Sequence, residues 1–172
     1  MEKLKRKKNL KDIVLFVIFL ILVVFWMGVI FKFSSANGEK STGTSRSSLE
    51  KIITLFNKNI DKDKLEGLVI KYDVVLRKFT HFSGYLVGGV LLYFMYFYLN
   101  KLVNYKLKYI KLYSVVTGSI YAMTDELHQH FVPGRSGEIK DVVLDTSGVI
   151  MGVVIVCAVI MVIKSLKIKQ KI

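Results

Sequence analysis

The stretch YAMTDELHQHFVPGRSGEIKDVVLDTSG, from Tyr121 to Gly148, decides how this chain is organised. It reads as the end of one apolar helix, a tight turn, and the beginning of the next helix. Charged residues occupy both helix ends, although a charged group in hydrocarbon costs about 3 kcal/mol or more and is usually buried and paired. The residues singled out as a cluster are Asp125, Glu126, His128, Gln129, Arg135, Glu138, Asp141 and Asp145. We infer that the other segments hold this cluster at one face of a membrane.

The turn inside this stretch is marked by Val132-Pro133-Gly134-Arg135. Pro133 is the only proline in the chain and presets one turn position, and Gly134 tolerates a positive φ at the next. The two flanking helices are therefore expected to be neighbours.

The composition indicates a membrane protein with a single domain, 1–172. The chain of 172 residues is 52% hydrophobic, which is too apolar for an ordinary soluble domain. Its net charge of +13 does not indicate nucleic-acid binding, because 14 of the 26 Lys and Arg lie in the stretches 1–11, 100–111 and 164–172. Positive charge at alternate ends of apolar spans is the positive-inside pattern. The single Cys157 excludes an internal disulfide and a cysteine-pair metal site.

Four apolar segments predict an all-α integral membrane protein, with four transmembrane helices in a compact bundle. A helix needs about 20 residues to cross a hydrocarbon core of about 30 Å. The predicted spans cover residues 13–33, 76–99, 112–131 and 141–163. The basic stretches place both termini on the cytoplasmic side. A cleaved signal peptide is the alternative for the first segment, because Ser34-Ser35-Ala36 resembles a small-residue cleavage site.

Residues 34–75 are predicted to form an outer loop with one or two short helices. Ser47 and Glu50 fit a capping box, which predicts a helix N-terminus at Ser47. The apolar residues that follow recur at helical spacing, and a second such segment runs through Leu65, Leu68 and Tyr72. These helices either lie on the outer membrane surface or pack against the bundle.

The third span requires polar residues to complete its crossing. Only 112–124 is free of charge, and this length cannot cross the core. Asp125 lies about 20 Å along the helix axis from Leu112, at about 1.5 Å per residue, and therefore below the outer surface. Asp125, His128 and Gln129 share one face by their spacing.

The predicted topology brings three separate regions to the outer end of the bundle. Arg77, His81 and Tyr85 share one face at the entrance of the second span, because they are four residues apart. The predicted ligand-binding residues are Arg77, Lys78, Tyr85, Glu126, Gln129, Arg135, Asp141 and Asp145. The candidate acid–base residues are His81, Asp125 and His128.

Several chemistries fit this cluster. Arginine forks bind phosphate or carboxylate head groups, and His81 or His128 with Asp125 could act as a general acid–base pair. A metal is the weakest alternative, because His128 and His130 face different sides of a helix and no HExxH spacing occurs. No cofactor is predicted. A structural ion network without a ligand also remains open.

Small residues four apart predict close helix packing. The pairs are Gly84 and Gly88, Gly118 and Ala122, and Gly148 and Gly152.

The motifs together resemble the VanZ-like family of small bacterial membrane proteins. The pattern has four parts: Phe33-Ser34-Ser35 after the first helix; Arg77-Lys78-x-x-His81; D-E-x-x-Q-x-F-x-P-x-R from Asp125 to Arg135; and Asp141, Asp145, Gly148 and Gly152 in the last helix. The resemblance implies a multi-pass protein of the bacterial cell membrane. The namesake of the family confers low-level resistance to teicoplanin, a lipoglycopeptide that acts outside the membrane. The expected partner is a membrane lipid or lipid-linked wall precursor at an outward-facing site, and the resemblance implies no agreed reaction.

Overall fold

The computed structural model of the chain describes residues 10–36, 38–103, 109–135 and 137–169. Within these ranges the chain forms five α-helices and no strand, which confirms the all-α prediction. The helices are α1 (Leu10–Ser34), α2 (Gly38–Phe56), α3 (Lys62–Leu102), α4 (Ile110–His130) and α5 (Ile139–Lys169). Much of the three basic stretches, at 1–9, 104–108 and 170–172, lies outside the described residues.

Three helices in the described ranges are long and apolar enough to cross a membrane. They are α1, α3 and the Ile139–Ile168 part of α5, and they contain the predicted first, second and fourth spans. Helix α4 has nearly the predicted bounds of the third span but is more polar, since Asp125 and Glu126 lie near its end. Its crossing of the membrane stays a prediction.

Helix α3 is much longer than the predicted second span. Its 41 residues extend about 61 Å at about 1.5 Å per residue, twice the thickness of a hydrocarbon core. The expected separate short helix before residue 76 is instead the first part of α3. Gly67 does not interrupt it, because a single helical glycine costs only about 1 kcal/mol relative to alanine.

Helix α2 begins nine residues before the predicted cap, so the capping box at Ser47 is wrong. Ser47 lies within the helix, and the backbone N–H of Gly38, the first residue of α2, donates to the carbonyl oxygen of Pro133 (3.1 Å). A helix N-terminus needs partners for its free N–H groups. Here a distant turn supplies one, and the local sequence carries no sign of it.

The bundle is closest-packed between α3 and α5, as the small-residue spacing predicted. A Cβ at Gly148 or Gly152 would collide with the α3 backbone at Phe82 or Leu86. Gly118 on α4 lies against Val149. The Gly148 and Gly152 pair therefore allows backbone-to-backbone contact where α5 meets α3, whereas the Gly84, Gly88 and Gly118 positions face side chains of neighbouring helices.

Helix α1 packs on the other side of α3. The indole Nε1–H of Trp26 donates to the carbonyl oxygen of Gly84 (2.8 Å), and Gly88 leaves room for the same ring. Tyr121 OH on α4 donates to the carbonyl oxygen of Met27 on α1 (2.6 Å). These two bonds fix the position of α1 along α3 and α4.

Candidate functional site

A polar cavity of about 350 Å³ opens where α1 and α4 end and α5 begins. Its walls come from α2, α3, α4, α5 and the turn between α4 and α5, which brings together residues far apart in the chain. The lining residues are Ser41, Val74, Arg77, Lys78, His81, Gln129, Gly134, Arg135, Glu138, Asp141 and Leu144. Six of them were singled out from the sequence as site residues: Arg77, Lys78, His81, Gln129, Arg135 and Asp141.

The predicted turn forms and presents Arg135 to the cavity. Gly134 has a φ of 73°, and the N–H of Arg135 donates to the carbonyl oxygen of Val132 (3.1 Å). Gly38 of α2 packs directly on Gly134, where any side chain would meet the Gly134 carbonyl. The turn and the beginning of α2 are therefore packed directly against each other.

Arg135 joins three elements. Its guanidinium donates to Gln129 Oε1 on α4 (2.8 Å), to Ser41 Oγ on α2 (2.9 Å) and to the carbonyl oxygen of Phe33 on α1 (3.3 Å). Burial lowers the pKa of this guanidinium, and repulsion from Arg77 lowers it further. An arginine remains charged at neutral pH because its ordinary pKa lies above 12. Arg77 and Arg135 together place two guanidinium groups in the cavity lining.

Arg77 of α3 is held in place by Asp73, an acid of the same helix that in turn contacts α2. Its Nη2 lies 3.6 Å from Asp73 Oδ2, one turn earlier on the helix. Asp73 is buried and accepts a hydrogen bond from Ser45 on α2. The Arg77 Nε is buried and has no hydrogen-bond partner. One donor of this guanidinium is therefore unused among the described residues.

Lys78 and Asp141 form an ion pair on the rim of the cavity. Lys78 Nζ lies 3.3 Å from Asp141 Oδ1, and the lysine side chain is 48% exposed. Such an exposed pair contributes little to stability. It joins α3 to the first turn of α5 beside the opening.

A buried hydrogen-bond network lies beneath the cavity around Asp125. Asp125 Oδ2 accepts hydrogen bonds from Ser34 Oγ (2.8 Å), Tyr85 OH (3.1 Å) and Gln129 Nε2 (3.3 Å). Asp125 and Tyr85 are 1% and 2% exposed. The network connects α1, α3 and α4. Asp125 and Tyr85 therefore lie within the bundle and not in the cavity wall, whereas Gln129 belongs to both.

Glu126 is held in the same layer. Its Oε1 accepts from Gln129 Nε2 (2.9 Å), and its Oε2 accepts from the backbone N–H of Glu138 (3.2 Å). The second bond ties the end of α4 to the residue before α5.

The two candidate histidines have different surroundings. His81 Nδ1 lies 3.7 Å from Asp145 Oδ2, so its nearest carboxylate partner is Asp145 and not the expected Asp125. His128 instead contacts α1, where Ser35 Oγ lies 3.1 Å from its Nε2 and Phe31 stacks on its ring. His128 is absent from the cavity lining, which makes His81 the only cavity histidine among the described residues.

One group of side chains in the described ranges has the spacing of a metal site. His81, Asp125, Glu126 and Asp145 each offer one ligand atom, and these atoms lie within 4.8 Å of one another. The sequence argument against a metal compared His128 with His130. It did not consider this grouping, whose members come from three different helices.

Sequence reasoning noted Ser34 only as part of the family pattern, and it missed Ser41, Ser45 and one acid, all of which support the site. Ser34, Ser41 and Ser45 bond to Asp125, Arg135 and Asp73, respectively. Asp73 was detectable, since an acid four residues before an arginine on a helix forms an ion pair. Ser41 and Ser45 carry no local signal, because their partners are distant in the chain.

The fold and the site define the class of this protein: an α-helical membrane protein with a charged cavity at one end of its bundle. Residues 19–162 match the family model described as VanZ/LLP1. The chain therefore belongs to the VanZ/LLP1 family, as the sequence motifs indicated. Neither the curated proteins nor the solved structures contain a match to it.

Proposed function

We propose that this protein binds an anionic, lipid-linked head group from the outer leaflet and lowers susceptibility to teicoplanin-type lipoglycopeptides. The observation that carries the proposal is the convergence of Arg77, Lys78 and Arg135 on one cavity of about 350 Å³. Ligand pockets typically occupy about 300–1,000 Å³. Two acids, Glu138 and Asp141, share the lining with these three cationic side chains, and Asp141 is paired with Lys78.

The proposal includes four membrane crossings, with α4 as the third. Helix α4 exposes a continuous apolar stripe to its surroundings while its polar residues face inward. The stripe residues are Leu112, Val116, Ile120, Met123 and Leu127, and all are at least 45% exposed. Asp125, Glu126 and Gln129 are at most 5% exposed. An inward-facing polar group is the arrangement that makes such a helix tolerable in lipid.

The orientation follows from the basic stretches. In the described part of the chain, the N-terminal end of α1 and the C-terminal end of α3 are adjacent, since Lys101 Nζ lies 3.2 Å from Asp12 Oδ1. The cavity lies at the opposite end of these helices. The positive-inside rule puts the Lys101 end in the cytoplasm, and the cavity then faces outside the cell.

Family membership supports the biological part of the proposal. The VanZ namesake is linked to resistance to teicoplanin, which acts outside the membrane. A cavity that takes a phosphate-bearing head group fits that location, because arginine recognises phosphate through paired hydrogen bonds.

The proximity of His81 and Asp145 favours a second candidate, acid–base chemistry on the bound head group. A histidine that contacts both a carboxylate and a ligand cavity is the usual arrangement for proton transfer. Purified protein that converts a lipid-linked phosphate would support this candidate. A head group that is recovered unchanged after prolonged incubation would exclude it.

The substitution Arg77→Gln tests head-group binding. It is expected to weaken binding of a short-chain isoprenyl pyrophosphate to the purified full chain by about ten-fold or more, because a hydrogen bond to a charged group contributes about 1.5–3 kcal/mol. The substitution should also restore teicoplanin susceptibility in cells that express the protein. Lys71→Gln is the matched control, since it removes one positive charge from the exposed surface of the same helix.

The same experiment separates binding from a purely structural ion network. If Arg77→Gln and Lys71→Gln bind the pyrophosphate equally, the proposed function is wrong. If the wild-type protein binds no pyrophosphate and Arg77→Gln lowers only the thermal stability, the charged residues around the cavity form a purely structural ion network.

A further inference from the structure

A layer of buried negative charge lies directly beneath the cavity. The carboxylates of Asp125, Glu126 and Asp145 are 1%, 4% and 0% exposed, respectively. They come from α4 and α5, and His81 of α3 faces them at the base of the cavity. Burying an ionised carboxylate without compensation is strongly unfavourable.

Cationic side chains do not compensate this charge. The Arg135 guanidinium donates its hydrogen bonds to Gln129 Oε1, Ser41 Oγ and the Phe33 carbonyl oxygen, and none of these acceptors is a carboxylate. Among the described residues, His81 makes the only ion pair with any of the three buried acids. A protonated His81 would neutralise one of three negative charges.

Several carboxylate oxygens in this layer lack partners. Asp125 Oδ1 and both carboxylate oxygens of Asp145 are buried and accept no hydrogen bond. Buried polar atoms are nearly always satisfied, so three unsatisfied oxygens in one layer require an explanation. A bound cation would account for all of them together with the excess charge.

The remaining oxygens are held in fixed positions by neighbouring donors. Asp125 Oδ2 is fixed by Ser34, Tyr85 and Gln129, and both Glu126 oxygens are occupied by Gln129 Nε2 and the Glu138 N–H. Metal-binding carboxylates are typically oriented by such outer hydrogen bonds.

We infer that His81, Asp125, Glu126 and Asp145 bind a single divalent cation at the base of the cavity. Their four ligand atoms lie within 4.8 Å of one another. Bonds of about 2.2 Å place ligands on opposite sides of an ion about 4.4 Å apart, so small side-chain movements complete the coordination. One imidazole and three carboxylates suit Mn²⁺ or Zn²⁺, and no thiolate is present to favour a softer ion.

The ion would serve the cavity above it. His81 belongs both to the cavity lining and to the metal group, so a ligand in the cavity lies next to the metal position. A divalent cation there attracts a phosphate oxygen directly, in addition to Arg77 and Arg135. Metal binding itself does not depend on the proposed head group, since it requires only the four protein ligands.

The test measures metal binding without any lipid ligand. The purified full chain in detergent is stripped with a chelator, titrated with Mn²⁺ or Zn²⁺ alone, and analysed for bound metal. We expect one ion per chain, and Asp145→Asn should weaken its binding by about ten-fold or more, as even outer-shell changes do. Asp12→Asn, which removes a carboxylate at the opposite end of the bundle, should bind like wild type.

The test remains decisive if Asp145→Asn fails to fold. In that case the Mn²⁺-loaded wild-type protein is examined by electron paramagnetic resonance, which should detect coupling to one histidine nitrogen. A wild-type chain that binds no ion, binding that Asp145→Asn leaves unchanged, or a spectrum without nitrogen coupling would each overturn the inference. Metal binding with no pyrophosphate binding would keep the inference and reject only the proposed function.

Discussion

Replacing Arg135 with alanine is expected to abolish head-group binding and to restore full teicoplanin susceptibility. Arg135 acts in two ways, because it carries charge into the cavity and also holds Gln129, Ser41 and the Phe33 carbonyl together. Hydrogen bonds to a charged group contribute about 1.5–3 kcal/mol each. Their loss should lower the melting temperature of the purified protein as well as its activity.

Two further variants make this result interpretable. Arg135→Lys keeps the charge but cannot reach three acceptors at once, so it should recover part of the binding and little of the stability. Arg46→Ala removes an exposed arginine from α2 and should leave binding, stability and abundance unchanged. If cells that express the Arg135→Ala protein at normal abundance have the same low teicoplanin susceptibility as cells that express the wild-type protein, the proposed role of this residue is contradicted.

Replacing Gly152 with leucine is expected to cause the largest loss of stability. A Cβ at this position would overlap the backbone of Leu86, so α5 and α3 would have to separate along their closest contact. Overpacking a filled interior costs about 1–3 kcal/mol, and a backbone collision costs more because backbone cannot change rotamer. The variant should show a lower melting temperature in detergent and reduced abundance in the membrane.

Gly28→Leu is the control for this substitution. Gly28 lies on α1, and a Cβ added there would meet no atom within 4 Å, so a leucine side chain has open space. Equal melting temperatures for the two variants would mean that α3 and α5 are not in contact at Gly152.

The sequence was sufficient to predict the three helices that are apolar enough to cross a membrane and six of the residues that line the cavity. Residues such as Asp125 and Arg135 stand out because charge is rare in apolar helices, and their side of the helix follows from a period of 3.6 residues. The turn at Pro133 and Gly134 was predictable because it depends on local backbone preferences.

The pairing of these residues was not predictable, because it depends on how the helices are rotated against one another. Ser34 and Asp125 are 91 positions apart, and nothing in either segment specifies the other. Similarly, His81 lies beside Asp145 because Gly148 lets α5 approach α3 closely. The grouping of His81, Asp125, Glu126 and Asp145 was missed for this reason, as its members come from three helices.

The start of α2 illustrates the same limit at the level of secondary structure. The sequence favours a start at Ser47, where a serine and a glutamate have capping spacing. The Pro133 carbonyl accepts from Gly38 instead and begins the helix earlier. A tertiary contact therefore overrides a local signal.

The central claim is that the charged cavity opens to the outside of the cell. Single cysteines introduced by Lys78→Cys, at the cavity rim, and Lys164→Cys, at the other end of the bundle, test it in a Cys157→Ala background. A membrane-impermeant thiol reagent applied to intact cells should label the Lys78→Cys protein, and the Lys164→Cys protein should react only after the cells are permeabilised. Labelling of Lys164→Cys but not of Lys78→Cys in intact cells would contradict the account.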